Sequence, residues 1–178
     1  SIRVQFAHGL EGSPEGSKTR LLAACNANID LEALAHHRGS AFGHHPQPQP
    51  SQIDFENALS VALLKHVAAD NRAFAVEDES RNIGGRHVPS AFFERLQVAP
   101  LVLLEAGFDE RVETTMDEYV HDGLRSFYRA LDGEAAFEAW ADYLRGALGR
   151  IRRRLGGTRH QQVARLLDEA LDAQRRGL

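Results

Sequence analysis

The chain has 178 residues, a formal net charge of −4, 43% hydrophobic residues and one cysteine. That is enough for one domain with a real core, and the composition is ordinary for a globular protein. It excludes a disulfide framework, a cysteine-rich zinc site and a globally basic nucleic-acid binder, so any nucleic-acid contact must come from a local patch. No apolar run approaches the roughly 20 residues that span a bilayer, so no membrane partner is expected. No charged stretch followed by an apolar core opens the chain, and a lone thiol fits a reducing, cytoplasmic compartment. The chain starts at Ser1 inside an expected strand, as a fragment, a processed chain or an engineered piece would.

Residues 2–7 form a β-branched and aromatic run that predicts a strand. A glycine-rich turn, HGLEGSPEGS, follows, and residues 18–26 read as a helix. Ile29 and Leu31 predict a second short strand, and the proline-rich residues 44–50 cannot be regular structure. Phe55, Leu59, Ala62, Leu63 and Val67 recur at helical spacing. Residues 73–76 predict a strand that runs into an acidic cluster. Residues 89–96 predict a short helix opened by Pro89. Residues 101–104 are continuously apolar, which predicts a strand buried on both faces. The alternation to this point predicts a mostly parallel α/β sheet. From Asp109 onward the pattern is helical only. Val112, Met116, Tyr119, Val120, Leu124, Phe127 and Leu131 form one stripe, Phe137, Trp140, Leu144, Leu148 and Ile151 a second, and Val163, Leu166, Leu167, Ala170 and Leu171 a third. The expected division is an α/β domain over residues 1–107 and a helical subdomain over residues 108–178.

Three constellations carry chemistry. From Gly12 the chain reads GSPEGSKT, close to the phosphate-loop pattern G-x-x-x-x-G-K-[ST]. Gly12, Gly16, Ser17, Lys18 and Thr19 are the candidate phosphate-binding residues. The sixth place holds Ser17 where glycine is usual, and the glycine stands one residue early. Glu77, Asp78 and Glu79 follow a strand at its expected C-terminal end; three adjacent acids call for magnesium with a nucleotide, or for Arg38 and Arg81. His36, His37, Arg38, Gly39 and Ser40 form a polar run on an expected loop, suited to a phosphate or an anionic substrate. His44 and His45 add two imidazoles expected in solvent. With no cysteine partner and no i, i+4 pair on a helix, no histidine metal site is expected. Residues 145–159 contain six arginines and no acid, a local field that fits an RNA backbone.

The segments IDLEALAHHRGSAFG (residues 29–43), QPSQIDFENAL (residues 49–59) and VEDESRNIG (residues 76–84), in this order, resemble the C-terminal, phosphate-binding half of tRNA 2-selenouridine synthase. The likeness runs from about Lys18 to about Gln174, and the Leu21-Leu22 pair after Lys18-Thr19 belongs to it. It implies a small parallel sheet of P-loop NTPase type with a C-terminal helical subdomain. It carries Asp30, Glu32, His37, Arg38, Gly39, Ser40, Gln52, Glu77, Asp78, Ser80 and Arg81 over as substrate-cleft residues. It implies tRNA and a phosphate-bearing small molecule as partners, with Arg150, Arg152, Arg153 and Arg154 on the tRNA. It implies magnesium with a nucleotide or diphosphate ligand, and selenophosphate as donor in the full enzyme. That transferase replaces the sulfur of wobble 2-thiouridine by selenium through a geranylated intermediate. Its transfer cysteine belongs to a rhodanese domain of the full protein, so Cys25 is expected as packing and the catalytic residues are not assigned. Two alternatives stay open. One is a non-catalytic scaffold with an altered phosphate loop. The other is an esterase-like hydrolase, because FAHGLEGSPEGSK (residues 6–18) resembles the first strand and loop of small α/β-hydrolases, although no G-x-S-x-G elbow follows.

Overall fold

The computed structural model describes residues 2–6, 27–71, 73–104 and 106–177. The glycine-rich turn with Gly12, Gly16, Ser17, Lys18 and Thr19 lies outside the described residues, as do the residue 18–26 segment and Cys25. The chain divides into two compact units, Ser1–Asp122 and Gly123–Leu178.

The first unit holds a four-stranded sheet in the order β2-β3-β1-β6, from β1 (Ile2–Phe6), β2 (Asn28–Ile29), β3 (Ala75–Glu77) and β6 (Leu101–Leu104). Every pairing is parallel: Arg3 faces Val76 and Leu101, and Ile29 faces Val76. The expectation of a small parallel α/β sheet is met. After β1 the chain runs to the far strand β2, and after β3 it crosses β1 to reach β6. The neighbours β1 and β3 therefore send their connections in opposite directions. That is a topological switch point, and ligands of open α/β sheets bind outside the carboxyl ends of the strands there.

Two elements within residues 1–100 differ from expectation. The chain does not stay extended to Leu31, because Asp30 Oδ1 accepts the Ala33 N–H at 2.7 Å and starts helix α1 (Leu31–Ala35). A side-chain cap at that position makes the helical turn cheaper than continued strand. Residues 82–87 form a two-stranded antiparallel hairpin, β4 (Asn82–Ile83) and β5 (Arg86–His87), turned by Gly84 and Gly85. Gly84 has φ +60, and a Cβ there would lie 2.7 Å from the His37 ring, so this turn needs glycine.

Helix α2 (Gln52–Ala68) is capped by Ser51, whose hydroxyl accepts the Asp54 N–H and donates to the Asp54 carboxylate at 2.6 Å. Phe55 and Leu59 on its inner face join Ile29, Leu31, Val76, Ile83, Val88 and Leu96 in the core, the last from α3 (Ser90–Gln97). Each such side chain contributes about 1.5–3 kcal/mol of burial. The stripe ends before Val67, which is 76% exposed. Leu101, Val102 and Leu103 are also 43, 41 and 49% exposed, against the expectation of burial on both faces. Among the described residues β6 is an edge strand paired only with β1.

Residues 108–131 are not one helix. Helix α4 (Phe108–Thr115) passes into a π-helical segment (Met116–His121), and α5 (Asp122–Ala130) resumes the α pattern. α4 and the π segment belong to the first unit.

The second unit is helical. Helices α6 (Gly133–Arg150) and α8 (Gly157–Arg175) are linked through the short α7 (Arg152–Leu155). Arg145 pairs with Asp168 at 2.9 Å and Arg175 pairs with Glu138, so α6 and α8 run antiparallel. Trp140 is 2% exposed and packs against Phe137 with the rings tilted by 56°, and Phe127 meets the Tyr143 ring at 5.7 Å.

Candidate functional site

Glu77 is the last residue of β3, at the carboxyl end of the switch-point strand, and it is fully buried. A buried carboxylate is costly unless it is satisfied. Glu77 Oε2 accepts the Glu32 N–H at 3.3 Å, which ties the end of β3 to the first turn of α1. Glu32 is itself 7% exposed. Gly39, at φ +47, lies against two carboxylates: a Cβ there would sit 2.6 Å from Glu79 Oε2 and 2.7 Å from Glu32 Oε1. Glycine is favoured here by the left-handed backbone.

Beside α1 opens a cleft of about 280 Å³. Asp30, Glu32, Ala33 and His36 line it from α1 and its cap, His37, Arg38 and His45 from the following loop, and Glu118 and Asp122 from the π segment and the start of α5. The loop shape has local causes. His36 takes the left-handed conformation (φ 50) that ends α1, and its N–H returns to Ala33 O. His37 bridges to His44, and Arg38 N–H donates to Gly43 O at 2.9 Å. This fold-back sets the His45 ring 4.5 Å from the His36 ring. Burial, then the positive Arg38, then His36, His37 and His44 lower the His45 pKa to about 4, so this imidazole is neutral near pH 7. The Arg38 guanidinium lies 5.7 Å from the centre of the Tyr119 ring, within cation–π range.

Of the residues expected in a substrate cleft, the structure brings Asp30, Glu32, His37 and Arg38 to this one, with Gly39 against Glu32 and Glu79 behind them. Ser40 holds the loop by accepting the Phe42 N–H at 3.1 Å. Gln52, Ser80 and Arg81 do not line the cleft. The Gln52 amide is held by His87, accepting its N–H at 2.9 Å and donating to its carbonyl at 2.8 Å. Ser80 Oγ donates to Asn82 O, and Arg81 donates to Ser90 Oγ at 2.8 Å; both residues are exposed. Asp78 is half-buried and is not among the lining residues.

Sequence reasoning missed four residues. His45, expected in solvent, lines the cleft, while its neighbour His44 is exposed. Glu118 and Asp122, which the sequence reading did not single out, also line the cleft. Gln49 holds the site together: its amide donates to Ala35 O at 2.8 Å and Ile83 O at 3.0 Å, and accepts the Gly85 N–H at 2.7 Å. The Gly84-Gly85 pair is the sequence signal that points to the hairpin Gln49 serves. Among the described residues no group of three or more His, Cys, Asp or Glu is placed to hold a metal ion. Among them no helix is long and apolar enough to cross a membrane.

The arginines of residues 150–159 fall in the second unit. Arg152, Arg153 and Arg154 are exposed on α7, and Arg150 is exposed at the end of α6. Residues 143–167 hold seven arginines and no acid. Arg145 is engaged with Asp168 and Asp142, and its pKa is raised chiefly by the Asp168 hydrogen bond.

The family model described as the tRNA 2-selenouridine synthase AAA domain matches residues 5–177. A tRNA 2-selenouridine synthase of Cupriavidus necator is 49% identical over 166 residues, covering 93% of this chain and 44% of the relative. That of Cupriavidus pinatubonensis is 46% identical over the same length and coverage. That of Alcanivorax borkumensis is 45% identical over 158 residues, covering 89% of this chain and 44% of the relative. The chain thus spans less than half the length of these relatives. No solved structure matches. The family match begins at residue 5 and takes in the whole glycine-rich turn, so the hydrolase-like reading of the first 20 residues is not borne out.

Proposed function

Because the chain belongs to the tRNA 2-selenouridine synthase AAA-domain family, we propose that it is the P-loop half of an enzyme that converts 2-thiouridine to 2-selenouridine at the tRNA wobble position. The observation that carries this reading is the sheet topology. Val4 of β1 pairs with Glu77 at the end of β3, β1 runs on to Phe6 opposite Leu104, and GSPEGSKT follows in the sequence from residue 12. A phosphate loop of P-loop NTPase type requires that placement. Gly12, Gly16, Ser17, Lys18 and Thr19 bind the phosphate of a small ligand, with Lys18 as the fixed positive charge. Asp30, Glu32, His37, Arg38, Gly39, Glu77 and Asp78 form the substrate side.

The described carboxylates do not make a metal cage by themselves. Magnesium binds through one or two carboxylates together with ligand phosphates. Thr19 and Glu77 are the residues that would hold it, and it would supply charge neutralisation at the phosphates. Selenophosphate as donor, and a rhodanese domain carrying the transfer cysteine, belong to the full-length enzyme in this reading.

Charge divides the labour. Residues 123–178 carry 11 arginines, no lysine and 7 Asp/Glu, a net +4, while residues 1–122 carry 10 Lys/Arg and 18 Asp/Glu, a net −8. An RNA backbone is therefore drawn to the helical unit, where Arg150, Arg152, Arg153 and Arg154 contact tRNA phosphates.

Calorimetry with a nucleoside diphosphate and with pyrophosphate tests the reading. Weak binding is expected in the parent because Ser17 stands where the phosphate-loop pattern has glycine. Lys18→Ala abolishes it and Ser17→Gly strengthens it. Tight binding that survives Lys18→Ala overturns the assignment.

A further inference from the structure

We propose that Tyr119 is the stacking platform for a nucleobase at the mouth of the α1 cleft, and that Arg38 covers that platform until the base arrives. The inference rests on the functional reading above and adds residues that reading does not use.

Three observations carry it. First, Tyr119 lies on the π-helical segment between Glu118 and Asp122, both of which line the cleft. A π segment is rare, and it re-aims its side chains relative to a continuous α-helix. Here Glu118 and Asp122 line the cleft, and Tyr119 between them in sequence meets the cleft-lining Arg38. Second, Tyr119 is only partly buried, and its ring is covered by the planar guanidinium of Arg38, itself a cleft-lining residue. A guanidinium on an aromatic face has the shape and stacking behaviour of a small base. Third, the polar groups around the ring suit a nucleoside better than a phosphate. Asp30, Glu32, Glu118 and Asp122 outnumber Arg38, and burial keeps His45 uncharged. Carboxylates accept from base N–H and ribose hydroxyl groups and repel phosphate.

The magnitudes favour exchange. A cation–π contact at a partly exposed site biases an equilibrium by a factor of about two to five. A base stacked on an aromatic side chain contributes a factor of about five to 150. An incoming base therefore displaces Arg38 from the ring, and the freed guanidinium can turn to the phosphate joined to that base.

The test uses the full chain and a uridine pentaribonucleotide as probe. The protein has three tyrosines, so ring resonances are readily assigned by NMR. The Tyr119 signals shift upfield on titration while those of Tyr128 and Tyr143 stay still. Tyr119→Leu weakens pentanucleotide binding about five- to 100-fold, Tyr119→Trp keeps it, and neither changes the salt slope of tRNA binding. Circular-dichroism melting checks that the variants fold; if Tyr119→Leu does not, the parent ring shifts and Tyr119→Trp decide the matter. A saturating titration with silent Tyr119 resonances, or undiminished binding in a folded Tyr119→Leu protein, overturns the platform while leaving the tRNA reading intact. A parent chain with no affinity for either pentanucleotide or tRNA at low salt overturns both.

Discussion

The two units contrast in the polar side chains that carry their tertiary contacts. In residues 1–122 they turn inward onto backbone: Gln49 joins the end of α1 to the hairpin, Gln52 holds His87, and Glu77 takes the Glu32 N–H. In residues 123–178 they turn outward onto one another, as in Arg145 with Asp168 and Arg165 with Glu169 at 3.6 Å, and Arg150, Arg152, Arg153 and Arg154 face solvent. A part-buried amide that satisfies backbone groups has no substitute, because its loss strands donors and acceptors. An exposed ion pair is replaceable by water. The first arrangement makes a shaped site, and the second makes a scaffold that can carry surplus charge.

The comparison breaks most readily at Gln49. Gln49→Ala removes three hydrogen bonds and is expected to cost about 2–4 kcal/mol, read from the urea midpoint by far-UV circular dichroism. A loss below about 0.5 kcal/mol would mean that the hairpin and α1 are held by their apolar contacts alone.

The outward charge is tested next. Replacing Arg152, Arg153 and Arg154 by glutamine is expected to flatten the log–log salt dependence of tRNA binding by about two units, at roughly 0.7–0.9 per phosphate. Stability stays within about 0.5 kcal/mol, since these side chains are exposed. Filter binding from low to moderate salt reads the slope, and an unchanged slope reduces α7 to a solvated helix end.

A smaller effect lies in pH. The His45 pKa is lowered from 6.5 to about 4 in the folded chain, so the unfolded chain takes up this proton first as pH falls. The His45 contribution to stability is complete above pH 6.5 and is lost progressively toward pH 4. Denaturant midpoints at several pH values are expected to fall across that window, and less steeply in His45→Asn. Equal slopes in the two proteins would show that His45 is not held neutral by the fold.

The smallest effect belongs to the surface pairs. Asp168→Asn is expected to cost less than about 1 kcal/mol and to leave the salt slope of tRNA binding unchanged. A larger loss would show that the Arg145–Asp168 pair organises the helical hairpin and is more than its decoration.

Most of the sheet was legible before any coordinates, because β-branched runs bounded by turn residues repeat at βα spacing. The helical tail was legible for the same kind of reason: Phe137, Trp140, Leu144 and Leu148 keep the helical period and are buried. Much of the cleft was legible too, since Asp30, Glu32, His37 and Arg38 stand within nine residues after a strand. Its other acidic residues were not. Glu118 and Asp122 lie about 80 residues away, and reading one regular helix through residues 112–131 hides the π segment that aims them. Gln49 looked like linker among prolines, because hydrogen bonds to backbone 14 and 34 residues away leave no local pattern.

By itself the sequence determined the class of fold, the family, the charge split and the glycine positions, since these depend on local periodicity, composition and steric freedom. Tertiary structure decided which side chains share a cleft. It turned Gln52, Ser80 and Arg81 to other partners, drew His45 inward and set Arg38 over Tyr119. The physical reason is that burial, desolvation and long-range hydrogen bonding depend on neighbours in space, which residue spacing along the chain does not encode.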